Sequence, residues 1–158
     1  MSGEVWEAVR DGDPRAFALF ERHYSCHRYQ DGRRARPGYR NRCLFVGPGE
    51  KLVLLTPDAR ALFVWRRFVS RDGQQGVNCA LFRNEGAFAG ALRSSALIRA
   101  AEDLAWARWP GQRLYTYVNP RVVRSSNPGC CFRAAGWRRC GVTKVNRLLV
   151  LEKLAGWG

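Results

Sequence analysis

The segment RSSALIRAAEDLAWARWPG, residues 93–111, constrains this chain more than any other. Leu97, Ala101, Leu104, Ala105 and Arg108 recur at helical spacing, Ser94 or Ser95 stands where a capping hydroxyl belongs, and Pro110-Gly111 stops the run. Arg99 and Asp103 are placed as an i, i+4 ion pair on the outer side. A strand-like run precedes this helix, VNCALFRNE at 77–85, and another follows it, RLYTYV at 113–118. In the second, Leu114, Thr116 and Val118 alternate with Tyr115 and Tyr117, so the tyrosines share the opposite face.

The rest of the chain fits around that unit. Asp13-Pro14 is a helix start, a capping carboxylate followed by proline at the first helical position, and Phe17, Phe20 and Tyr24 then share one face. CLFV, GPGE and KLVLLT (43–56) read as strand, turn, strand, and ALFVWRRFVS (61–70) as a further strand that turns through RDGQQG. SSNPGCCFRAAGW is a short helix ended by Gly136, and RRCGVT and KVNRLLVLEK close the chain as an antiparallel pair. The order predicts one α/β domain over 1–158: a mixed, mostly antiparallel sheet with helices on both faces. Trp65, Trp106, Trp109 and Trp137 are assigned to core and edge packing.

Charge narrows the partners. The formal net charge is +14, and 24 of the 27 basic residues are arginine, whose planar fork binds phosphate in pairs of hydrogen bonds and stacks on bases. Five arginines, Arg33, Arg34, Arg36, Arg40 and Arg42, fall in the glycine- and proline-bearing loop 31–42, and DNA backbone is the expected partner of that loop. The longest apolar runs are far too short to span a bilayer, no basic amphipathic helix points to a membrane surface, and the N-terminus lacks an apolar signal region. The expected location is the cytoplasm. None of the six cysteines forms a CxxC pair; Cys43 and Cys79 lie in apolar runs as small buried hydrophobes, and neither disulfides nor a structural zinc site is expected.

The strand RLYTYV, then SSNPGCCFRAAGWRRCG with Asn127, Phe132, Gly136 and Trp137, then a final apolar strand, resembles the C-terminal part of the GNAT acyltransferase fold. HYS at 23–25, together with a serine-led long helix and the N-P-G-x-C-F-x-x-A-G-W run, is similar to the Mom-type branch of that fold, phage proteins that modify DNA bases against restriction. The resemblance covers about residues 40–152 in fold order. It implies that the strands before and after the long helix splay apart around an acyl donor. It also implies that an exocyclic amine of a DNA base, adenine favoured, is the acceptor, and it keeps iron open as a cofactor. The chain departs from the family in two places: GALRSSALI replaces the glycine-patterned pyrophosphate loop, and Phe132 stands where a thiolate-protonating tyrosine is often found.

The candidate site follows. His23 is placed as the base, with Tyr24 and Ser25 beside it, because an imidazole near neutrality can take a proton from an amine. Glu85 is either a second base or the partner of Arg83. Arg83, Arg93, Ser94 and Ser95, at the start of the long helix, with Ser126 and Asn127, are placed around the donor, acetyl-CoA or aminoacyl-tRNA. Backbone N–H groups near 82–85 are expected to stabilise an oxyanion. Tyr115 and Tyr117 are placed to stack on a flipped base, or one of them belongs to the core. His23 and His27, one helical turn apart, form a minor option for a metal ion, with Cys26 close by. DNA, and tRNA if it is the donor, are the expected partners. Two rival functions remain: an ordinary acetyl-CoA-dependent N-acetyltransferase on a protein or small molecule, and a non-enzymatic nucleic-acid-binding protein on the same scaffold.

Overall fold

A computed structural model of the chain describes residues 4–23, 44–121 and 129–157. Seven strands form one sheet: β1 (Glu7–Val9), β2 (Glu50–Leu55), β3 (Ala61–Arg67), β4 (Val77–Asn84), β5 (Leu114–Val118), β6 (Arg138–Val142) and β7 (Leu149–Lys153), in the order β1-β2-β3-β4-β5-β7-β6. Every neighbouring pair is antiparallel except β4 and β5, which run parallel because helix α2 (Ser94–Arg108) crosses over between them. The architecture is thus a mixed α/β fold with an open, mostly antiparallel sheet, as the order of elements predicts.

Alternation along the strands builds two cores. Leu54, Phe63, Trp65, Val77 and Cys79 face α2 and the short helix α3 (Cys130–Ala134). Val53, Leu55, Leu62, Val64 and Leu81 face the other way, onto α1 (Pro14–Glu21). Helices therefore cover both faces. The indoles of Trp6 and Trp65 donate to the Leu97 and Ala101 carbonyls of α2, both at 2.9 Å, and Trp137 donates to Glu102, so three tryptophans fasten the helix to the sheet side. Trp65, Trp109 and Trp137 are buried and Trp106 half-buried, in keeping with the packing assigned to them. No described helix is long and apolar enough to cross a membrane.

Asp13 caps α1 through the N–H groups of Arg15 and Ala16 with Pro14 behind it, and Gly136, at φ 99°, ends α3 with the Trp137 N–H returning to the Phe132 carbonyl at 3.0 Å. Three local expectations are corrected, and one strand went unpredicted. Residues 44–46 are not a strand: the Asp11 carboxylate takes the N–H groups of Phe45 and Val46, and the edge of β2 is already paired with residues 7–9. That short first strand, with two exposed side chains in three, carries no readable alternation. Neither serine caps α2; Arg93 occupies the cap position, with no side-chain hydrogen bond there. Arg99 does not pair with Asp103 but donates to the Ala134 carbonyl at the end of α3, 2.8 Å away.

Candidate functional site

The feature that matters most lies at the centre of the sheet. β4 and β5 pair through Val77–Leu114, Asn78–Tyr115 and Cys79–Thr116, and the pairing stops there, although both strands continue. The cause is local. Val64 faces Leu81 while Trp65 faces Cys79, so Ala80 is an extra residue in β4, a bulge that bends the strand away from its parallel neighbour. Thr116 Oγ1 donates to the Cys79 carbonyl at 2.9 Å and ties the strands at the last paired position. Beyond it opens a cleft of about 210 Å³, whose described lining includes His23, Ala80, Phe82, Thr116, Tyr117 and Cys131. The splay expected of the strands flanking α2 is present.

His23 reaches this wall because α1 ends two residues before it and its N–H still bonds the Phe20 carbonyl at 2.9 Å. Burial, reinforced by the charge of Arg83, pulls the imidazole down to about 4, while a hydrogen bond to the backbone at Phe82 acts the other way. The ring is therefore neutral at pH 7. Folding lowers this pKa from an ordinary 6.5, so the unfolded chain binds the extra proton between pH 6.5 and about 4. The stability from the neutral ring is complete above that window and is lost as pH falls through it. The expected loss is of order 2–3 kcal/mol, read by urea unfolding along a pH series. His23→Gln should flatten the slope in that window; an identical slope in the variant would contradict the burial.

Glu85 takes the second of the two roles open to it. Its carboxylate accepts from Arg22 Nε and Nη2 at 2.8 and 2.9 Å and from Arg83 Nε. The hydrogen bonds from Arg22, with those from Arg83, hold it down at about 2 against the effect of burial. A carboxylate held so low is a poor base; here it staples the end of α1 to the end of β4. The Glu85 N–H donates to the Arg60 carbonyl at 2.7 Å, so it is not an oxyanion donor.

Between β4 and α2 the chain turns through Gly86, Phe88, Ala89 and Gly90, all with positive φ. Phe88 and Ala89 are left-handed without being glycine, a strain of roughly 1–2 kcal/mol each. Asn84 and Asp58 hold it in place: Asn84 Oδ1 accepts from the Gly86 and Ala87 N–H groups, and Asp58 Oδ2 from Phe88 at 2.6 Å. Glycines do precede the long helix, then, at positions 86 and 90, and a side chain at either would meet nothing within 4 Å. Asn84 Nδ2 donates to Ser94 Oγ at 3.1 Å, which brings Ser94, Ser95 and Arg93 to the same end of the sheet as Arg83.

Tyr115 and Tyr117 do share a face, with ring centroids 5.7 Å apart, but their surroundings differ. Tyr115 is fully buried, which removes it as a stacking platform. Tyr117 is half-buried in the cleft wall, its hydroxyl donating to Asp72 Oδ1 at 2.7 Å. Phe132 lines the cleft and packs edge-on against Phe82 and Trp137; Cys131 beside it is a thiol whose pKa burial raises. Cys79, Cys130, Cys131 and Cys140 are free. Tyr24, Ser25, Cys26, His27, Arg33, Arg34, Arg36, Arg40, Arg42, Cys43, Ser126 and Asn127 lie outside the described residues. Among the described residues no three His, Cys, Asp or Glu side chains converge as metal ligands. Sequence reading did not assign Ala80, Thr116, Arg22 or Asp72 to the site; of these only Asp72, in the turn RDGQQG, lies in a run with a local signal.

Compared with protein-family models, with curated proteins and with solved structures, the chain returns no match.

Proposed function

We propose that this protein is a GNAT-like, Mom-type transferase that adds an acyl-derived group to an exocyclic amine of a base in phage DNA, adenine above the others, and so shields the DNA from restriction. The observation that carries this reading is the cleft opened where β4 and β5 part beyond Cys79 and Thr116, with His23 in its wall. The mixed sheet and the crossover helix between the parting strands support it, and a net charge of +14 suits a polyanionic substrate.

The cleft suits a slender, amide-bearing arm. Past Cys79 the edge of β4 that faced β5 has no strand partner among the described residues, so its backbone groups can bond such an arm as a neighbouring strand would. Ala80, Thr116, Val118 and Cys131 would hold the arm, and the backbone around Gly86 and Gly90, with Arg93, Ser94 and Ser95, its phosphates. The donor, an acyl-CoA or an aminoacyl-tRNA, supplies the activated carbonyl carbon when bound. The amine nitrogen bonds to that carbon as the carbon's bond to the donor's sulfur or ester oxygen breaks. His23 is neutral at pH 7, but its pKa, about 4, makes it a weaker base than the near-neutral imidazole expected from the sequence. Its ring nitrogen takes the proton only as the attacking nitrogen becomes positive in forming that bond, and returns it to the departing sulfur or oxygen. The Arg22–Glu85–Arg83 staple positions the end of α1, and hence His23, against β4. The host cytoplasm is the expected place of action.

The test is to express the protein with plasmid DNA, digest to nucleosides and quantify any new, heavier nucleoside by mass. His23→Ala is expected to lower its yield about 100-fold or more. An equal yield would remove His23 from the chemistry.

A further inference from the structure

The β6–β7 hairpin carries a combination the cleft does not use. The Thr143 N–H bonds the Leu148 carbonyl and the Leu148 N–H bonds Thr143 Oγ1, both at 2.9 Å, closing a loop of Lys144, Val145, Asn146 and Arg147. Arg121 Nη2 donates to the Asn146 carbonyl at 2.8 Å and braces the tip. Val145 is 89% exposed at that tip, between the exposed side chains of Lys144 and Arg147. Arg147 has φ 55°, where glycine is at ease and an arginine costs about 1 kcal/mol. The tip thus carries a cation at a position where the backbone favours glycine.

Behind the hairpin lies a groove of about 940 Å³, at the upper end of the size of ligand pockets. Its far rim is the loop 68–76, where Val69 is 92% exposed. Arg71 and Lys144 line its sides, and Asp72, Tyr117 and Asn146 offer a flat ring and hydrogen-bonding groups. Tyr117 lines this groove and the cleft alike. Beside it, Asn78 Oδ1 is buried with no hydrogen-bond partner among the described residues, and Tyr115 Oη, on its cross-strand partner, is buried with only the Ser70 hydroxyl near it. Ser70, the neighbour of Tyr115, commits its hydroxyl to Asp72 and to the Gln74 N–H.

We propose that this hairpin enters duplex DNA, Val145 taking the place of one nucleotide in the stack while that nucleotide turns out into the groove beside Tyr117. The inference rests on a DNA base being the substrate and goes beyond it by assigning the wedge and the pocket. A base within a duplex must leave the stack before its exocyclic amine can be reached. An exposed apolar side chain on a braced tip can fill the gap, as wedge residues do, and Lys144 and Arg147 then lie against the flanking phosphates. The extruded base stacks on Tyr117, with its amine toward Asp72 or the cleft.

The test uses the full chain and two short duplexes, one fully paired and one with a single 2-aminopurine·cytosine mismatch. The protein should bind the mismatched duplex about tenfold more tightly, because a mispaired base costs less to unstack, and 2-aminopurine fluorescence should rise severalfold on binding. Val145→Ser should abolish both the preference and the rise, with affinity for the paired duplex within about twofold of wild type, since the substitution leaves the phosphate contacts alone. Arg147→Gly should fold at least as stably as wild type, yet weaken binding to both duplexes and reduce the salt slope by about one. Equal binding of the two duplexes by wild type, or a fluorescence rise that survives Val145→Ser, would overturn the proposal. A Val145-dependent rise with unchanged nucleosides upholds the extrusion site and removes the transfer reaction. Wild-type modification by Val145→Ser removes the wedge and leaves the transferase reading intact.

Discussion

Glu102→Ala is expected to remove about 3–5 kcal/mol of stability, read as a lower urea midpoint. Glu102 is 2% exposed and Lys153 5%. Lys153 Nζ donates to Glu102 Oε1 and to the Ala135 carbonyl, and Trp137 Nε1 donates to Glu102 Oε2, all at 2.7 Å. One carboxylate thus joins α2, β7 and the turn between α3 and β6. Removing it leaves a buried ammonium with a single neutral acceptor and an indole N–H with none, which costs far more than the net worth of the intact pair. Combining Glu102→Leu with Lys153→Met should restore more than half of the loss, because no buried charge remains. A loss below about 1 kcal/mol in Glu102→Ala would show that water reaches the pair and that the lock is not closed.

Ala80→Trp is expected to cut base modification about 100-fold or more, the scale of loss when reacting groups are displaced by about an ångström, with stability changed by less than about 1 kcal/mol. Ala80 is the bulged residue, exposed and opposite no β3 residue, and it lines the cleft. An indole there would occupy much of the cleft, a space of about 210 Å³, from a position that pairs with no β3 residue. The check is the yield of new nucleoside, with the urea midpoint measured in parallel. A fully active, folded Ala80→Trp variant would place the donor elsewhere.

Much of the frame was legible because it rests on local chemistry. The periodicity of α2, the Asp13-Pro14 start, the alternation of LYTYV and the stop at Gly136 each depend on a few adjacent residues, and all are present in the structure. The splay was an expectation from resemblance; its physical cause, an extra residue at Ala80, depends on register against β3 and leaves no mark in β4 alone. Contacts between distant residues were not legible. Glu85 is held by Arg22, 63 residues away, and Asp72 by Tyr117, 45 residues away. Nothing adjacent marks Glu102, because its partner sits 51 residues on, in the last strand. Arg99 chose the Ala134 carbonyl over Asp103 for the same reason, since α3 packs beside it.

The central claim is that the parted strands form a transfer site for DNA bases. The most direct measurement is the nucleoside mass profile of plasmid DNA from cells making the wild-type protein and, separately, the Ala80→Trp variant. A new, heavier nucleoside is expected with the first and its near-absence with the second. An unchanged profile with the wild-type protein, with both acyl-CoA and aminoacyl-tRNA present, would contradict it.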